Sequence, residues 1–552
     1  MADALVPDPG VTMIAAGVVP PPGGAADVGN KAWNLIRMAT AGLPVPPGFV
    51  LPTSWCRMRR TELADDRRLA KALASGIDRL EAATGLRFGS PRFPLLVSVR
   101  SGAAVSMPGM LETVLDVGLN AETVDGLIRL TANPRLAWDS YRRLIQGFAE
   151  VVRALPTEPF DGLVRTAMTE ADVTAQRELD HRSLRRVTQN MLDEYSARVG
   201  TPFPQDPREQ LLQAAAAVFR SWDAPKAATY RRLNGIDDAD GTAVTVQTMV
   251  FGNAGGSSGA GVGFTRSPAT GERELYLDFQ FNAQGEDIVA GRQRSTDTKR
   301  LRRNLPEVWN ELEQVAQRLE ALFGDAQDFE FTVQNGRLSL LQTRKANPTP
   351  WAALRIAVDL VSEGLIEPPE ALARLSGLNL ETVTRTRFAG ERPPALAVAT
   401  VASLGVASGA IALDIAAVER LARDGAPIVL VRAETVTTDI AAMARAAGIL
   451  TGSGSRTSHA AVVARQLGKV CLVACPGLSV DLRGRTCQIG GQTCAEGDFI
   501  ALDGNDGSIY PGRHPNASWR QLRAGDSCEL AAGGEHRRRS GDEAGMTILL
   551  LS

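Results

Sequence analysis

The sequence predicts an α/β protein built from several domains, and three observations support this class. First, 552 residues leave room for about three to five domains of ordinary size. Second, the helical spacing of apolar residues over 120–235 gives way after residue 241 to short strands separated by Gly-rich turns. Third, strands and helices alternate over 397–513, which is typical of packed α/β layers.

The composition is that of an ordinary globular protein. Apolar residues make up 44% and charged residues 22%, and the net charge of −2 argues against nonspecific binding to nucleic acid or to membrane surfaces. No apolar stretch is long enough for a transmembrane helix, and the N-terminus lacks the basic segment of a secretory signal. We therefore expect a cytoplasmic protein, with a homodimer as one open oligomeric state.

The cysteines predict buried thiols rather than a disulfide framework or a metal site. The chain has six cysteines, no CxxC motif and only four histidines. Cys471 and Cys475 lie inside one apolar run. A reducing compartment is consistent with this usage.

Changes of pattern along the chain predict its division into segments. Pro/Gly-rich and polar, aperiodic stretches at the two ends read as flexible or partly disordered. The predicted segments are a flexible N-terminus (1–27), a first lobe with a helical subdomain (28–240), a strand-rich second lobe (241–350), a helical linker (351–396), a compact α/β domain (397–513) and a partly disordered tail (514–552).

The most informative segment is SGSRTSHAAVVARQLG, residues 453–468, where a Gly/Ser-rich loop runs into an amphipathic helix at His459. Ser or Thr can cap a helix, and the helix N-terminus attracts anions. Because imidazole is a good nucleophile near neutral pH, His459 is a candidate carrier of a transferable phosphoryl group. From spacing alone, a surface histidine beside a helix cap is the simpler interpretation.

A second candidate site lies in the strand-rich region. The run FEFTVQNGRLSLLQTR predicts a hairpin with Asn335-Gly336 at its tip, on which Glu330 and Gln342 share a face and Arg344 points the same way. Their oxygens suit Mg²⁺ carried by nucleotide phosphates. A solvated strand face with an ion pair is the alternative. The Gly-rich run 252–264 lacks a Walker pattern and is more simply a turn.

Two basic residues upstream are weaker candidates. Lys31 lies in VGNKAWNL, and Arg100 ends the strand-like run LLVSVR. Either side chain could reach a phosphate group. Taken alone, a solvated lysine is the simpler reading of Lys31.

Taken together, these segments resemble the pyruvate phosphate dikinase family, up to about residue 513. The matching runs follow the family's order and include GNKAWNLIRMATAGLPVPPGF, SVRSGAAVSMPGM, NPRLAWDSYRRLIQ, GTAVTVQTMVFGN, FNAQGEDIVAG, LLQTR and RTSHAAVVAR. The resemblance implies a two-lobed ATP-grasp nucleotide-binding unit, followed by a swivelling phosphohistidine domain over 397–513. It also implies ATP and Mg²⁺ as ligands, with inorganic phosphate as a further candidate co-substrate.

The resemblance implies a nucleotide site with ATP between the two lobes. By analogy, Lys31, Arg100 and Arg344 would hold the phosphates. Glu330 and Gln342 would bind the metal ion.

Further roles follow from the same resemblance. Asp328 would serve the metal ions and nucleotide, and Gln247 and Met249 would lie on the strand that borders the adenine. The residues that match those of the phosphate half-reaction are Arg135, Glu286 and Asp287, and the residues that match the phosphoryl acceptor and its loop are His459 and Thr457.

The sequence departs from the family pattern at three places. The turn around Lys31 reads GNKA in place of GGKG, and the loop before His459 reads GSRTSH in place of GGMTSH, which brings in Ser455 and Arg456. These changes put the rate and specificity of the reaction in doubt more than the phosphate chemistry itself.

The third departure concerns a whole domain. The family continues with a barrel of about 250 residues that binds pyruvate or phosphoenolpyruvate. Because 39 residues follow residue 513, we expect this barrel to be lacking.

The sequence therefore predicts an ATP-dependent phosphotransferase of the dikinase type. It would phosphorylate its own His459, release AMP and pass the phosphoryl group to a small molecule or a protein other than pyruvate on the same chain. The alternative is a nucleotide-binding regulator or decayed dikinase without turnover. The charged candidate residues argue against decay, and Lys31 is one of only six lysines in a chain with 54 arginines.

Overall fold

The computed structural model describes residues 10–60, 66–105, 107, 111–285, 298–376, 378, 385–390, 392–423, 425–435, 439–454 and 459–519. These residues form two compact units, one of 10–258 with 332–343 and one of 259–331 with 344–519. Within these ranges, no helix is both long and apolar enough to cross a bilayer.

Helices make up most of the first unit and confirm the helical prediction for 120–235. They are α1 (Ala25–Thr40), α2 (Thr53–Arg60), α3 (Asp66–Thr84), α4 (Thr123–Thr131), α5 (Pro134–Arg153), α6 (Glu158–Glu170), α7 (His181–Val199), α8 (Pro207–Arg220) and α9 (Pro225–Asn234). Polar caps set several of their starts: Asn133 accepts a hydrogen bond from the Leu136 amide, and Asp180 accepts one from the Ser183 amide.

The strands of the first unit are β1 (Thr12–Ile14), β2 (Gly48–Leu51), β3 (Arg87–Phe88), β4 (Pro94–Leu95), β5 (Val97–Gly102), β6 (Thr113–Val117) and β7 (Ala243–Thr248). Five of them form an antiparallel sheet in the order β1-β2-β7-β5-β6. Its apolar side and helices α3, α5 and α8 share one core, in which Phe49, Trp55 and Trp222 are fully buried.

Two predicted boundaries differ from this sheet. The segment 1–27 was expected to be irregular, yet residues 12–14 pair with β2 as an edge strand. The second lobe was expected to begin at residue 241, but β7 lies between β2 and β5, with Gln247 opposite both Gly48 and Ser98. Pairing with two strands that lie far away in the sequence assigns β7 to the first sheet.

The second unit begins with another sheet and its helices. The elements are β8 (Gly259–Phe264), β9 (Tyr276–Phe281), β10 (Gln327–Gln334) and β11 (Arg337–Lys345), with α10 (Thr298–Asn304), α11 (Pro306–Phe323), α12 (Pro350–Ser362) and α13 (Pro368–Leu375). The strand order is β11-β10-β8-β9, and the tip of the β10–β11 hairpin, residues 332–343, belongs to the first unit. The predicted turn is confirmed, because Asn335 (φ 50°) and Gly336 (φ 77°) both adopt the left-handed conformation that a two-residue hairpin loop requires.

Part of the Gly-rich run is a strand rather than a phosphate loop. Residues 259–264 form β8, and its alternate glycines face aromatic rings of neighbouring strands. A Cβ added at Gly261 would lie 2.4 Å from the Phe331 ring, and one at Gly263 would lie 2.5 Å from the Phe329 ring. These glycines are therefore explained by packing.

The remaining strands are β12 (Arg385–Phe388), β13 (Ala397–Val398), β14 (Thr400–Ser403), β15 (Val406–Ala412), β16 (Ile428–Arg432), β17 (Gly448–Thr451), β18 (Val470–Val473), β19 (Ser479–Asp481), β20 (Thr486–Ile489), β21 (Gln492–Ala495), β22 (Phe499–Asp503), β23 (Ser508–Pro511) and β24 (Asn516–Trp519). The helices among them are α14 (Ile415–Arg423), α15 (Ile440–Arg445) and α16 (His459–Gln466).

The 397–513 region folds around one eight-stranded sheet. Its order is β13-β23-β22-β15-β16-β17-β18-β14, and β15 to β18 run parallel. Separate apolar cores cover its two faces. Of the predicted tail, residues 516–519 form β24, which pairs with β12; residues beyond 519 lie outside the described part of the chain.

The cysteine prediction is confirmed for five positions. Those buried thiols are Cys56, Cys471, Cys475, Cys487 and Cys494. Cys528 lies outside the described residues. Burial raises the pKa of the Cys471 thiol to about 12, so this thiol stays protonated at neutral pH.

Candidate functional site

The first predicted phosphate ligand, Lys31, follows a break in α1. Gly29 leaves the helical conformation, with φ 76° and ψ 152°, and a Cβ at this position would lie 2.0 Å from the carbonyl oxygen of Gly102. The Asn30 amide donates to the Ala103 carbonyl at 2.9 Å. This contact fixes the turn against the end of β5, and a Cβ added at Gly102 would lie 3.8 Å from that of Lys31. Only glycine fits at position 29.

Arg100 and Gln342 come together, although they lie 242 positions apart in the chain. Arg100 lies on β5 and donates to the Leu341 carbonyl at 3.2 Å and to the Gln342 side-chain oxygen at 3.5 Å. Along β11, buried residues alternate with half-buried ones as far as Leu341. Gln342 is half-buried as well, so this alternation shifts by one residue at that point. The side chains of Arg100 and Gln342 therefore form the first polar cluster, within the first unit.

The second polar cluster, within the second unit, consists of Asp328, Glu330 and Arg344. Asp328 is only 6% exposed, and the Arg344 Nε donates to one of its carboxylate oxygens at 2.8 Å. Burial raises the pKa of the Asp328 carboxyl; Arg344 opposes this effect and the Glu330 carboxylate adds to it. Burial alone would lower the pKa of Arg344, but Asp328 and Glu330 raise it. The cluster thus combines one guanidinium with two acidic side chains.

Gln247 lies on a strand, and Met249 lies just beyond its end. Gln247 lies on β7 but is 1% exposed, and its side-chain amide donates to the Pro46 carbonyl at 3.0 Å. Met249 lies one residue past the end of β7, and its amide donates to the Leu96 carbonyl at 2.9 Å. The Gln247 amide therefore secures the 44–47 segment beside β2.

Arg135 is engaged with the backbone near the start of α7. Its guanidinium donates to the Leu179 carbonyl at 3.0 Å and to the Gln176 carbonyl at 3.2 Å. It also helps to lower the pKa of Asp139, which Arg142 and Arg143 bind directly.

His459 is the first residue of α16, which connects the parallel strands β17 and β18. The helix therefore begins beyond the carboxyl end of β17, the edge at which ligands bind in open α/β sheets. The loop leaves this edge with its backbone anchored: the Gly452 amide donates to the Arg432 carbonyl at 3.0 Å, and the Ser453 amide to the Ala433 carbonyl at 2.9 Å.

Several predicted residues lie outside the described part of the chain. They are Glu286, Asp287, Ser455, Arg456 and Thr457. Their proposed roles stay predictions.

Sequence reasoning missed Arg465, on the same helix as His459. Arg465 is 4% exposed, donates to the Ala402 carbonyl at 2.9 Å and has its guanidinium carbon 5.6 Å from the centre of the Phe264 ring. A signal was present in the sequence, because an arginine among the apolar residues of a short amphipathic helix needs partners when that helix packs.

Two family models match separate regions of the chain. Residues 60–309 match the family described as "Pyruvate phosphate dikinase, AMP/ATP-binding domain", and residues 425–507 match "PEP-utilising enzyme, mobile domain". The chain is 42% identical to the pyruvate, phosphate dikinase of Clostridium symbiosum over 497 residues, which is 88% of this chain and 56% of that protein.

Other relatives give the same result. The chain is 41% identical to the pyruvate, phosphate dikinase of Rhizobium meliloti (strain 1021) over 505 residues, and 41% identical to that of Giardia intestinalis over 491; both matches cover 88% of this chain and 56% of the relative. The chain thus spans about half the length of the curated relatives that it matches. It is thus similar to these pyruvate, phosphate dikinases over 88% of its own length.

Proposed function

We propose that this chain carries out the nucleotide half of a dikinase reaction, in which ATP phosphorylates His459 and AMP is released. The observation that carries the proposal is the hairpin β10–β11. It brings Gln342 to Arg100 and, two residues later, Arg344 to Asp328. Similarity to an AMP/ATP-binding domain and to a mobile domain supports the same reaction.

The proposed chemistry is two successive transfers. An imidazole nitrogen of His459 attacks the β-phosphorus of ATP, and the bond from that phosphorus to the oxygen bridging to the α-phosphate breaks, which releases AMP. Inorganic phosphate then attacks the outer phosphorus of the pyrophosphoryl group and leaves as pyrophosphate, so that one phosphoryl group stays on His459. Phosphoryl transfer depends mainly on positioning and on charge stabilisation, which arginine and lysine side chains supply.

The proposed ligands suit the groups that they would hold. Arg100, Arg344 and Lys31 would bind and orient the phosphates, since a guanidinium forms paired hydrogen bonds with phosphate oxygens. The carboxylate of Glu330 and the amide oxygen of Gln342 are donors that Mg²⁺ accepts, and Asp328 would hold Arg344 in place. When bound, Mg²⁺ would neutralise charge on the phosphate oxygens.

The experiment is incubation of the purified chain with labelled ATP and Mg²⁺, in wild type and in His459→Ala. We expect label that is lost in acid and stable in base, as phosphohistidine is, together with AMP in the solution. The variant should take up no label but should still bind nucleotide. Binding without any label in the wild type would contradict the proposal and favour the regulator.

The acceptor is the second part of the proposal. We propose that His459 passes its phosphoryl group to a small molecule or protein other than pyruvate. The test is discharge of the purified, labelled chain by pyruvate and by fractionated metabolites or proteins. Rapid discharge by pyruvate alone would overturn this part and would leave the loading of His459 intact.

A further inference from the structure

The buried Arg465 connects the helix that begins with His459 to β8, a strand of the sheet that also carries the second polar cluster. Arg465 lies six residues after His459 on α16, which is less than two helical turns. Its side chain is buried at 4% exposure, which is unusual for a cation without a role in an ion site or an interface.

The partners of Arg465 come from two sides. On its own side, the guanidinium donates to the Ala402 carbonyl of β14 at 2.9 Å. On the other side it lies over the Phe264 ring of β8, at a distance of 5.6 Å that allows a cation–π interaction. The Phe264 ring in turn packs edge-on against Tyr276 of β9, with ring centres 6.2 Å apart.

Titratable groups of neighbouring strands also act on Arg465. Burial lowers the pKa of Arg465, and Tyr276, Cys471, Asp328 and Asp278 oppose this effect, in decreasing order. In the same way Arg344, and to a smaller extent Arg465, oppose the rise that burial causes in the pKa of Asp328.

The contact around Arg465 is not a continuous apolar core. Close to it lies a groove of about 1240 Å³, whose lining includes Thr265, Tyr276, Trp309, Gly454 and Ala474. Because the groove leaves part of this contact open to solvent, we expect a small number of buried residues to determine the stability of the contact.

We propose that Arg465 is a docking residue, which holds the α16 helix against strands β8 and β9 and thereby positions His459 for phosphorylation. The inference rests on the proposed role of His459. A buried cation among carboxylates adds little net stability, because desolvation offsets the attraction. The contact is therefore suited to form and to release repeatedly.

The first test measures single-turnover labelling of His459 at saturating ATP. Arg465→Met should slow labelling about tenfold or more. Arg465→Lys, which keeps the charge, should recover part of the loss. Arg420→Gln, an exposed arginine of the same 397–513 region, is the matched control and should label at the wild-type rate. A wild-type rate in Arg465→Met would overturn the inference while leaving the proposed function standing.

The second test needs no turnover, so it decides the matter even if the wild type takes up no label. Hydroxyl-radical footprinting measures the exposure of Tyr276, which faces the docked contact. Arg465→Met should raise oxidation of Tyr276 several-fold, and Arg420→Gln should not. Unchanged oxidation in Arg465→Met, in a protein with native circular dichroism, would contradict the docking role.

Discussion

Two buried aspartates, each bound by arginine, behave in opposite ways, and the contrast separates structure from function. Asp139 on α5 is surrounded by Arg142, Arg143 and Arg135. Burial alone would raise its pKa, but the three guanidinium groups bring it down to about 2. Asp328 on β10 has Arg344 as its hydrogen-bonded guanidinium, and burial leaves its pKa raised.

The difference lies in the local balance of charge. The Asp139 cluster has more positive than negative groups; its members lie on α5, and Arg135 also binds the backbone before α7. Around Asp328, the Glu330 carboxylate offsets part of the attraction of Arg344 and Arg465, so this cluster tolerates a further cation or a change of partner. An aspartate whose charge is balanced by several cations stabilises the fold, whereas a buried aspartate with a raised pKa is a candidate for a functional site. The four predictions below test this contrast, from the largest effect to the smallest.

The largest effect is expected for Asp139→Asn. Removing the carboxylate leaves the buried Arg142 without its charged partner, which should cost about 3–5 kcal/mol in the free energy of unfolding. Urea unfolding followed by circular dichroism measures the change. The control is Asp193→Asn, an exposed position on α7, which should change stability by less than about 0.5 kcal/mol. Equal stability of the two variants would contradict the structural role of the Asp139 cluster.

The second effect is on rate. Arg344→Met should lower labelling of His459 by about 100-fold or more, because it removes a cation that would stabilise the transferred phosphoryl group. Stability should fall less than in Asp139→Asn, because Asp328, whose pKa is already raised, can take up a proton. Arg337→Met, on the exposed end of the same strand, is the control and should label at nearly the wild-type rate.

The third effect is on acid stability. The folded pKa of Asp139 lies below its ordinary value, so its stabilisation is fully present above about pH 4 and is lost as the pH falls towards 2. The shift to about 2 corresponds to about 2 kcal/mol. Unfolding measured from pH 6 to 2 should show this loss in the wild type and a shallower slope in Asp139→Asn. The same slope in both proteins would rule out the assignment.

The smallest effect should have opposite signs for stability and activity. Glu330→Gln removes the negative charge that raises the pKa of Asp328, so stability should rise, by no more than about 1 kcal/mol. Labelling of His459 should nevertheless slow, because an oxygen donor for Mg²⁺ becomes weaker. Thermal unfolding and labelling are compared with those of Glu307→Gln, an exposed position on α11. A variant that is both less stable and fully active would break the contrast.

The parts of the fold that were predictable from the sequence are those decided locally. The hairpin at Asn335-Gly336 follows from two residues that accept positive φ, flanked by alternating side chains. The assignment of β7 failed because its partners, β2 and β5, lie about 150–200 residues earlier in the chain. The glycines of β8 were taken for a loop because the rings that they face belong to other strands.

In the candidate site, too, local features were predictable from the sequence and long-range contacts were not. Spacing alone placed Glu330, Gln342 and Arg344 on one hairpin. The resemblance assigned Arg100 to the same phosphates, but its contact with this hairpin came only from the structure. Arg465 was missed by both routes, because its importance depends on Phe264 and Asp328, which are remote in sequence. Long-range contacts between charged groups leave no periodic trace in a sequence.

The central claim is that His459 receives its phosphorus from the β-position of ATP. The most direct measurement is to label the chain with ATP that carries radioactive phosphorus at either the β or the γ position, with Mg²⁺, and to add inorganic phosphate. We predict that both labels are found on His459 before phosphate is added. Afterwards the β label stays on the histidine and the γ label leaves as pyrophosphate. Retention of the γ label alone, or no label on His459 under either condition, would contradict the account.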